Sequence, residues 1–348
     1  MKNDIKTYSR AEIEDLLKKM GQPRFRAKQI IQWLYQHGVS HYDEMTNLPT
    51  ALRTRLAQEA PLTVPQLVNK QISADGTRKY VWKFADGARV ETVAIPSRDV
   101  LPGETPKRLT ICFSTQVGCP MGCAFCATGK EGFSRNLTPG EMVDQIILAG
   151  RDVGCRVTNL VAMGQGEPFI NYENTLEALR FLNSPDGLEI GARHITVSTC
   201  GIIEGIKRFS TEPEQFTLAI SLHAALQTTR NTLMPKMAAS PLPALREALV
   251  NYTETSNRRV TLEYLLIKNV NDSARDLESL KQFGKGLLCH VNILPVNEIE
   301  GSPYQPSSPK TMKKWIDSLQ SAGIETTLRD SRGSDIDGAC GQLKNATV

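Results

Sequence analysis

Residues 108–129 read RLTICFSTQVGCPMGCAFCATG. A β-type run, RLTICFS, leads into a loop carrying Cys119, Cys123 and Cys126 at C-x3-C-x2-C spacing, and Cys112 lies on the run itself. From Arg108 onward such runs recur as VTNLVAMG, HITVSTCG, FTLAISLH, RVTLEYLLI, HVNILPVN and IETTLRD. Between them stand helix-patterned segments such as TPGEMVDQIILAGRDVG and PKTMKKWIDSLQSAG. Strand–helix alternation of this kind predicts a parallel sheet or barrel. Six or seven units fall short of the eight that close a barrel. The expected fold is therefore α/β, a partial (β/α)6 TIM-type barrel spanning residues 105–344.

Upstream the period differs. SRAEIEDLLKKMG has Ser9 as N-cap and Gly21 as stop, and PRFRAKQIIQWLYQHG and PTALRTRLAQEA continue with apolar residues at helix spacing. Residues 1–66 are thus expected to form a small helical domain. RKYVWKFADGARVETVAI alternates around Ala85-Asp86-Gly87 and predicts a β-hairpin linker within 67–104, with PSRDVLPGETPKR (96–108) as a loop.

Charge and composition narrow the classes. The formal net charge is +4, too mild by itself to announce nucleic acid, but the excess sits in the N-terminal fifth. A helical arm that touches phosphates would look like this, and so would an ordinary solvated domain. No stretch approaches the length of a membrane span, and MKNDIKTYSRAEIEDLLKKM is charged rather than signal-like. A cytoplasmic protein without membrane contact, acting as a monomer, is expected. In that compartment clustered cysteines read as metal-binding or catalytic.

The polar residues fall at one edge of the expected barrel. Cys119–Cys126 follow the first strand and Gly166-Glu167 the second. Ser198 ends the third, Ser221 and His223 the fourth and Asn297 the sixth, while Cys340 follows the last. Active sites of β/α barrels sit at these C-terminal strand ends. Three thiolates leave one coordination position open, as on a 4Fe–4S cluster with one iron free for a ligand. The residues alone leave other readings: a zinc knuckle completed by His223 or Cys155, a non-catalytic zinc-dependent RNA-binding module, or an electron-transfer ferredoxin. Cys155, Cys200 and Cys289 read as small core or strand residues.

GCPMGCAFCATGKEGFSRNLT, MGQGEP, SLH and RGSDIDGACGQL, together with FRAKQIIQWLY and VETVAIP, resemble the RlmN/Cfr family of radical S-adenosylmethionine (SAM) RNA adenine methyltransferases. The resemblance runs from about residue 9 to 344. It implies a 4Fe–4S cluster on Cys119, Cys123 and Cys126 that chelates SAM and splits it to a 5′-deoxyadenosyl radical. It places Gly166, Glu167, Ser198, Ser221, Leu222 (through its backbone), His223 and Asn297 around SAM. The family has Met where this chain has Gln165, so that side chain is expected to face elsewhere. By the same resemblance Cys340 is the methyl carrier, Cys112 resolves the protein–RNA adduct through a disulfide, and Glu91 accepts the ring proton, with two SAM consumed per turnover. The implied substrate is carbon 2 of an adenine in the peptidyl-transferase centre of 23S rRNA and of an adenine beside the tRNA anticodon; Cfr-like methylation of carbon 8 is the alternative. GFSRNL and the helical domain are expected to touch RNA, and a flavodoxin or ferredoxin to donate electrons. A radical SAM enzyme with another substrate would keep the cluster without needing Cys112 or Cys340.

Overall fold

Near residue 66 helices give way to strands. Ahead of that point lie α1 (Arg10–Lys19), α2 (Arg26–Ile31), which runs on through a π-helical turn at Gln32–Gln36, and α3 (Thr50–Glu59). Ser9 and Glu12 cap α1 reciprocally, each side chain accepting the other's amide. The helix ends at Gly21, whose φ of 69° suits a residue without Cβ. Ile13, Leu17, Ile30, Leu34, Leu52 and Leu56 are buried, so the helix-spaced apolar residues become one side of a core. The computed structural model describes residues 4–97 and 106–344; the loop expected over 96–108 lies mostly outside them.

β1 (Gln66–Ile72), β2 (Arg78–Lys83) and β3 (Arg89–Pro96) form an antiparallel meander. The expected hairpin is its second turn, at Asp86-Gly87. The additional strand, β1, is an edge strand with Leu67, Val68 and Ile72 exposed. Solvent on both faces removes the alternation by which a strand is recognised. β3 pairs antiparallel with β4 (Leu109–Cys112), so the meander is continuous with the barrel sheet.

β5 (Gln116–Gly118) and β6 (Phe133–Asn136) form a separate small hairpin around the cysteine loop and α4 (Ala127–Glu131). Then come α5 (Pro139–Val153), β7 (Asn159–Ala162), α6 (Tyr172–Asn183), β8 (Ile195–Thr199), α7 (Ile203–Thr211) and β9 (Thr217–Ser221). α8 (Gln227–Leu233), α9 (Leu242–Ser256), β10 (Val260–Leu266), α10 (Ala274–Gly284), β11 (Cys289–Pro295), α11 (Pro309–Ser321) and β12 (Glu325–Leu328) complete the chain. β4, β7, β8, β9, β10, β11 and β12 are parallel neighbours in that order. Six crossovers join these seven strands, and β1 and β12 are the sheet's two edges. The result is a partial (β/α)6 barrel. Val197, Leu218, Ile220, Leu262, Tyr264, Val291 and Ile293 are buried beneath the helices, which explains the nearly unbroken apolar runs.

The helical segment docks on α5. Lys6 Nζ lies 2.5 Å from Asp144 Oδ2, with both side chains nearly buried, and Arg151 donates to the Gly38 carbonyl at 2.7 Å. No described helix is long and apolar enough to cross a membrane.

Candidate active site

The cysteine loop hangs on its surroundings by its backbone. Cys119 N–H donates to the Gly132 carbonyl (2.7 Å), Ala124 N–H to Leu233 at the end of α8 (2.9 Å) and Ala127 N–H to Gly341 (2.7 Å). Gly118, at φ 73°, lets β5 meet β6: a Cβ there would fall 2.0 Å from the Gly132 oxygen. So supported, Cys119, Cys123 and Cys126 line one cavity with Gly166, Glu167, Ser198, Ser221, His223 and Cys340. These residues come from five separate stretches of sequence and meet only because parallel strands end together.

Gly166 holds φ 104°, and a Cβ on it would meet Thr115 Oγ1 and Gln116 Cβ at 2.7 Å. Glu167 follows. Its Oε1 accepts from Phe169 N–H (3.0 Å) and its Oε2 from Cys200 N–H (2.7 Å), while burial pushes its pKa up. Ser198 Oγ and Ser221 Oγ are 3.4 Å apart. His223 Nδ1 accepts from Leu265 N–H at 3.1 Å, which leaves the proton on Nε2 in the neutral ring. Burial, with Arg230 nearby, lowers this imidazole to about 3, so it stays neutral.

A second cavity adjoins the first and shares Cys126, Met163, Gly164, Arg329 and Cys340 with it. Cys112 and Asn297 line it. Cys340 is exposed, and its carbonyl accepts from Asn297 Nδ2 at 3.0 Å. Asn297 thus touches the Cys340 loop and does not line the cavity of the three cysteines. Burial, and then the neighbouring Cys340, push the Cys112 thiol up to about 12.

Two expected residues lie outside both linings. The Leu222 side chain is in the core, and its backbone N–H bonds to Glu263 O at 3.0 Å. Glu91 is 0% exposed. Its Oε2 accepts from Lys344 N–H (2.8 Å), and its Oε1 lies 3.4 Å from Lys79 Nζ. Gln165 does face away from the cavity: its Oε1 accepts the Glu91 N–H at 3.1 Å, tying the MGQGEP turn to β3.

Cys200 corrects the reading of it as a plain strand residue. It lines the cavity with Cys123, and that neighbouring thiol and burial hold its own thiol well above its ordinary pKa. Glu263 and Arg329 also line the cavity, with 3.9 Å between Arg329 Nη1 and Glu263 Oε2. A charged residue inside the apolar run VTLEYLL was the signal for Glu263; Arg329 sits just past a strand end. In GFSRNL, Phe133 is exposed, but Arg135 forks onto Glu141 at 2.8 Å and reaches Asp86 at 2.7 Å.

Residues 3–62 match the family described as "Ribosomal RNA large subunit methyltransferase N-terminal domain", and residues 113–280 match the "Radical SAM superfamily". A Clostridium novyi protein called "Probable dual-specificity RNA methyltransferase RlmN" is 42% identical over 99% of this chain and 98% of its own length. A Symbiobacterium thermophilum protein of the same designation is 44% identical over 96% and 89%. The chain belongs to the RlmN family of radical SAM methyltransferases. The crystal structure of a radical SAM methyltransferase from Sphaerobacter thermophilus is 43% identical, with a TM-score of 0.92 over 99% of both chains. The barrel expected from strand–helix alternation is therefore shared across the whole length.

The donor set fits the 4Fe–4S cluster that radical SAM membership implies. Among the described residues no three His, Cys, Asp or Glu side chains converge as ligands of one ion, whereas thiolates of a cluster each take a different iron and need not converge. The zinc alternative loses both candidate fourth ligands. His223 has its Nδ1 engaged, and Cys155 lies beside Arg78, outside the cavity lining.

Proposed function

We propose that the protein methylates carbon 2 of an adenine in 23S rRNA, and of an adenine beside the tRNA anticodon, through a methylated Cys340. The observation carrying this reading is that Cys340 lines both cavities, the one that holds Cys119, Cys123 and Cys126 and the one that holds Cys112. A carrier sulfur must face both.

Cys119, Cys123 and Cys126 would hold the cluster, which when bound supplies the electron that makes a C–H bond of a methyl group reactive. Gly166, Glu167, Ser198, Ser221 and His223 would orient SAM, with two molecules used per turnover; Leu222 contributes backbone only, and Asn297 acts through the Cys340 carbonyl. Adenine carbon 2 is a poor nucleophile, and a cysteine sulfur is a good one, so Cys340 takes the methyl first. After its carbon joins the ring, the Cys112 thiolate attacks the Cys340 sulfur. The S–S bond forms, the S–C bond breaks with its electron pair going to the base, and a proton completes the new methyl group. Glu91 takes the ring proton once Lys344 leaves its Oε2. Residues 1–66, with exposed Phe133, would contact the RNA, 67–104 link them to the barrel over 105–344, and a flavodoxin or ferredoxin would reduce the cluster of this cytoplasmic monomer.

The test begins with anaerobic purification. A brown protein with about four irons and absorbance near 400 nm is expected, a methyl on Cys340 after incubation with SAM, and 2-methyladenine in digested RNA. Cys123→Ala should be colourless and inactive. A methyl on another residue, or an active colourless variant, contradicts the proposal.

A further inference from the structure

α8 carries a cation into the interior. Arg230 is 0% exposed. Its Nη1 donates to the Ser221 carbonyl at 3.1 Å and to the Leu222 carbonyl, and its Nη2 donates to the Cys200 carbonyl at 2.6 Å. Its Nε has no partner among the described residues. The three carbonyls close the C-terminal ends of β8 and β9, the ends that present Ser198, Ser221 and His223 to the cavity. α8 is joined to the cysteine loop by the Ala124–Leu233 hydrogen bond, and Leu233 and Met234 pack with Met121, Cys123 and Phe125.

Neutral carbonyls satisfy a guanidinium's donors but leave its charge. A guanidinium does not deprotonate in proteins, and a buried charge without a counter-charge is strongly destabilising. Three other buried or half-buried cations among the described residues have carboxylates: Lys79 has Glu91, Lys6 has Asp144, and Arg329 has Glu263. Arg230 has none among the described residues; burial works to lower its pKa, and the neighbouring Cys200 and Cys123 sulfurs oppose that. Its counter-charge must come from the neighbouring cysteine site.

We propose that Arg230 is the built-in counter-cation of the anionic iron–sulfur centre held by Cys119, Cys123 and Cys126. It acts as a positioning residue that fixes the ends of β8 and β9 and favours the cluster's reduced, more negative state. The inference rests on the cluster reading above. Three thiolates make such a centre negative overall, and reduction adds one more charge beside the guanidinium. One unit charge at roughly 10 Å and an effective dielectric of about 20 changes a neighbouring one-electron equilibrium on the order of tenfold.

EPR-monitored redox titration of reconstituted wild type, Arg230→Gln and Arg230→Lys tests this. Arg230→Gln should be about tenfold harder to reduce, a shift of about 59 mV to lower potential for a one-electron couple, and Arg230→Lys should stay within about threefold of wild type. Circular dichroism of the cluster-free proteins supplies the control: Arg230→Gln should fold, because it loses the uncompensated charge along with its hydrogen bonds. An unshifted potential in Arg230→Gln, or a cluster-free variant that does not fold, reduces Arg230 to a clamp on carbonyls and overturns the inference. A wild-type protein that takes up no cluster would instead refute the proposed function.

Discussion

Asp75, far from the cysteines in sequence, controls how firmly Cys340 is held. It sits in the turn between β1 and β2. Its Oδ2 accepts from Arg332 Nε at 2.8 Å and from Gly333 N–H at 3.1 Å, and its Oδ1 accepts from Thr77 N–H at 2.9 Å. In the same turn Ser73 Oγ bonds Asp335 at 2.6 Å. The loop leading to Cys340 is therefore pinned to the meander. Asp75→Ala removes two charge-assisted bonds to the loop, each worth about 1.5–3 kcal/mol when protected from water. The Asp75 side chain is 35% exposed, and solvent screening brings the expected loss to about 2 kcal/mol. That corresponds to an opening equilibrium about 30-fold larger. Hydrogen exchange of amides 332–344 should accelerate by that factor, and iodoacetamide should label Cys340 faster; Asp75→Asn, which keeps one acceptor, should show less. Burial works to raise the Asp75 pKa, but the bonds from Thr77, Arg332 and Gly333 hold it well below the carboxylate range. A depressed folded-state pKa gives stability that is present above the unfolded value, so the latch should weaken as pH falls below about 4. Exchange within threefold of wild type in Asp75→Ala would refute the latch.

Three further outcomes follow from single contacts. Lys6→Met leaves Asp144 buried without its cation and should cost about 3 kcal/mol in urea unfolding. Burial already raises Asp144 to about 6, a folded value above the unfolded one, so its contribution declines as pH rises from about 4 through about 6. The deficit of Lys6→Met should therefore be larger at pH 7.5 than at pH 5, and the reverse order would reject the pairing as the cause. Gly118→Ala places a Cβ 2.0 Å from the Gly132 oxygen at φ 73° and should lose more than about half of the bound iron, as a strained turn cannot hold its loop; full iron content would show the hairpin to be yielding. Cys112→Ala should accumulate a protein–RNA adduct on denaturing gels, and normal release would assign resolution to another thiol.

The strands and helices of the barrel were legible because parallel strands buried on both faces give contiguous apolar runs, and helices such as α5 announce themselves by caps like Thr138 and Glu141. β1 was hidden by exposure on both faces. β5 and β6 were hidden because their pairing depends on a close approach of Gly118 to Gly132 that no periodicity records. In the site, the C-x3-C-x2-C spacing and the Gly166-Glu167 turn are local in sequence and could be read there. Arg230, Cys200 and Glu263 are separated by at least thirty positions and meet only through strand order. Leu222 and Asn297 were placed by resemblance; the Leu222 side chain faces the core, leaving its backbone for the expected role, and Asn297 holds the Cys340 carbonyl.

The charges around Cys112 also bear on the order of the proposed steps. Burial raises this thiol most, Cys340 raises it further, and Arg329 pulls it down. The Cys340 contribution exists only while that sulfur can carry charge. Once Cys340 bears a methyl group or the base, its sulfur is neutral, whereas Arg329 is unaltered. Burial still holds the Cys112 thiol up, but by less than it and Cys340 did together. On the proposed chemistry the resolving thiol is least nucleophilic when there is no adduct to resolve and becomes more so when one has formed, since the thiolate is the attacking species. The same charges that disfavour the Cys112 thiolate while Cys340 is unmodified would thus oppose it less at the step where the disulfide frees the base.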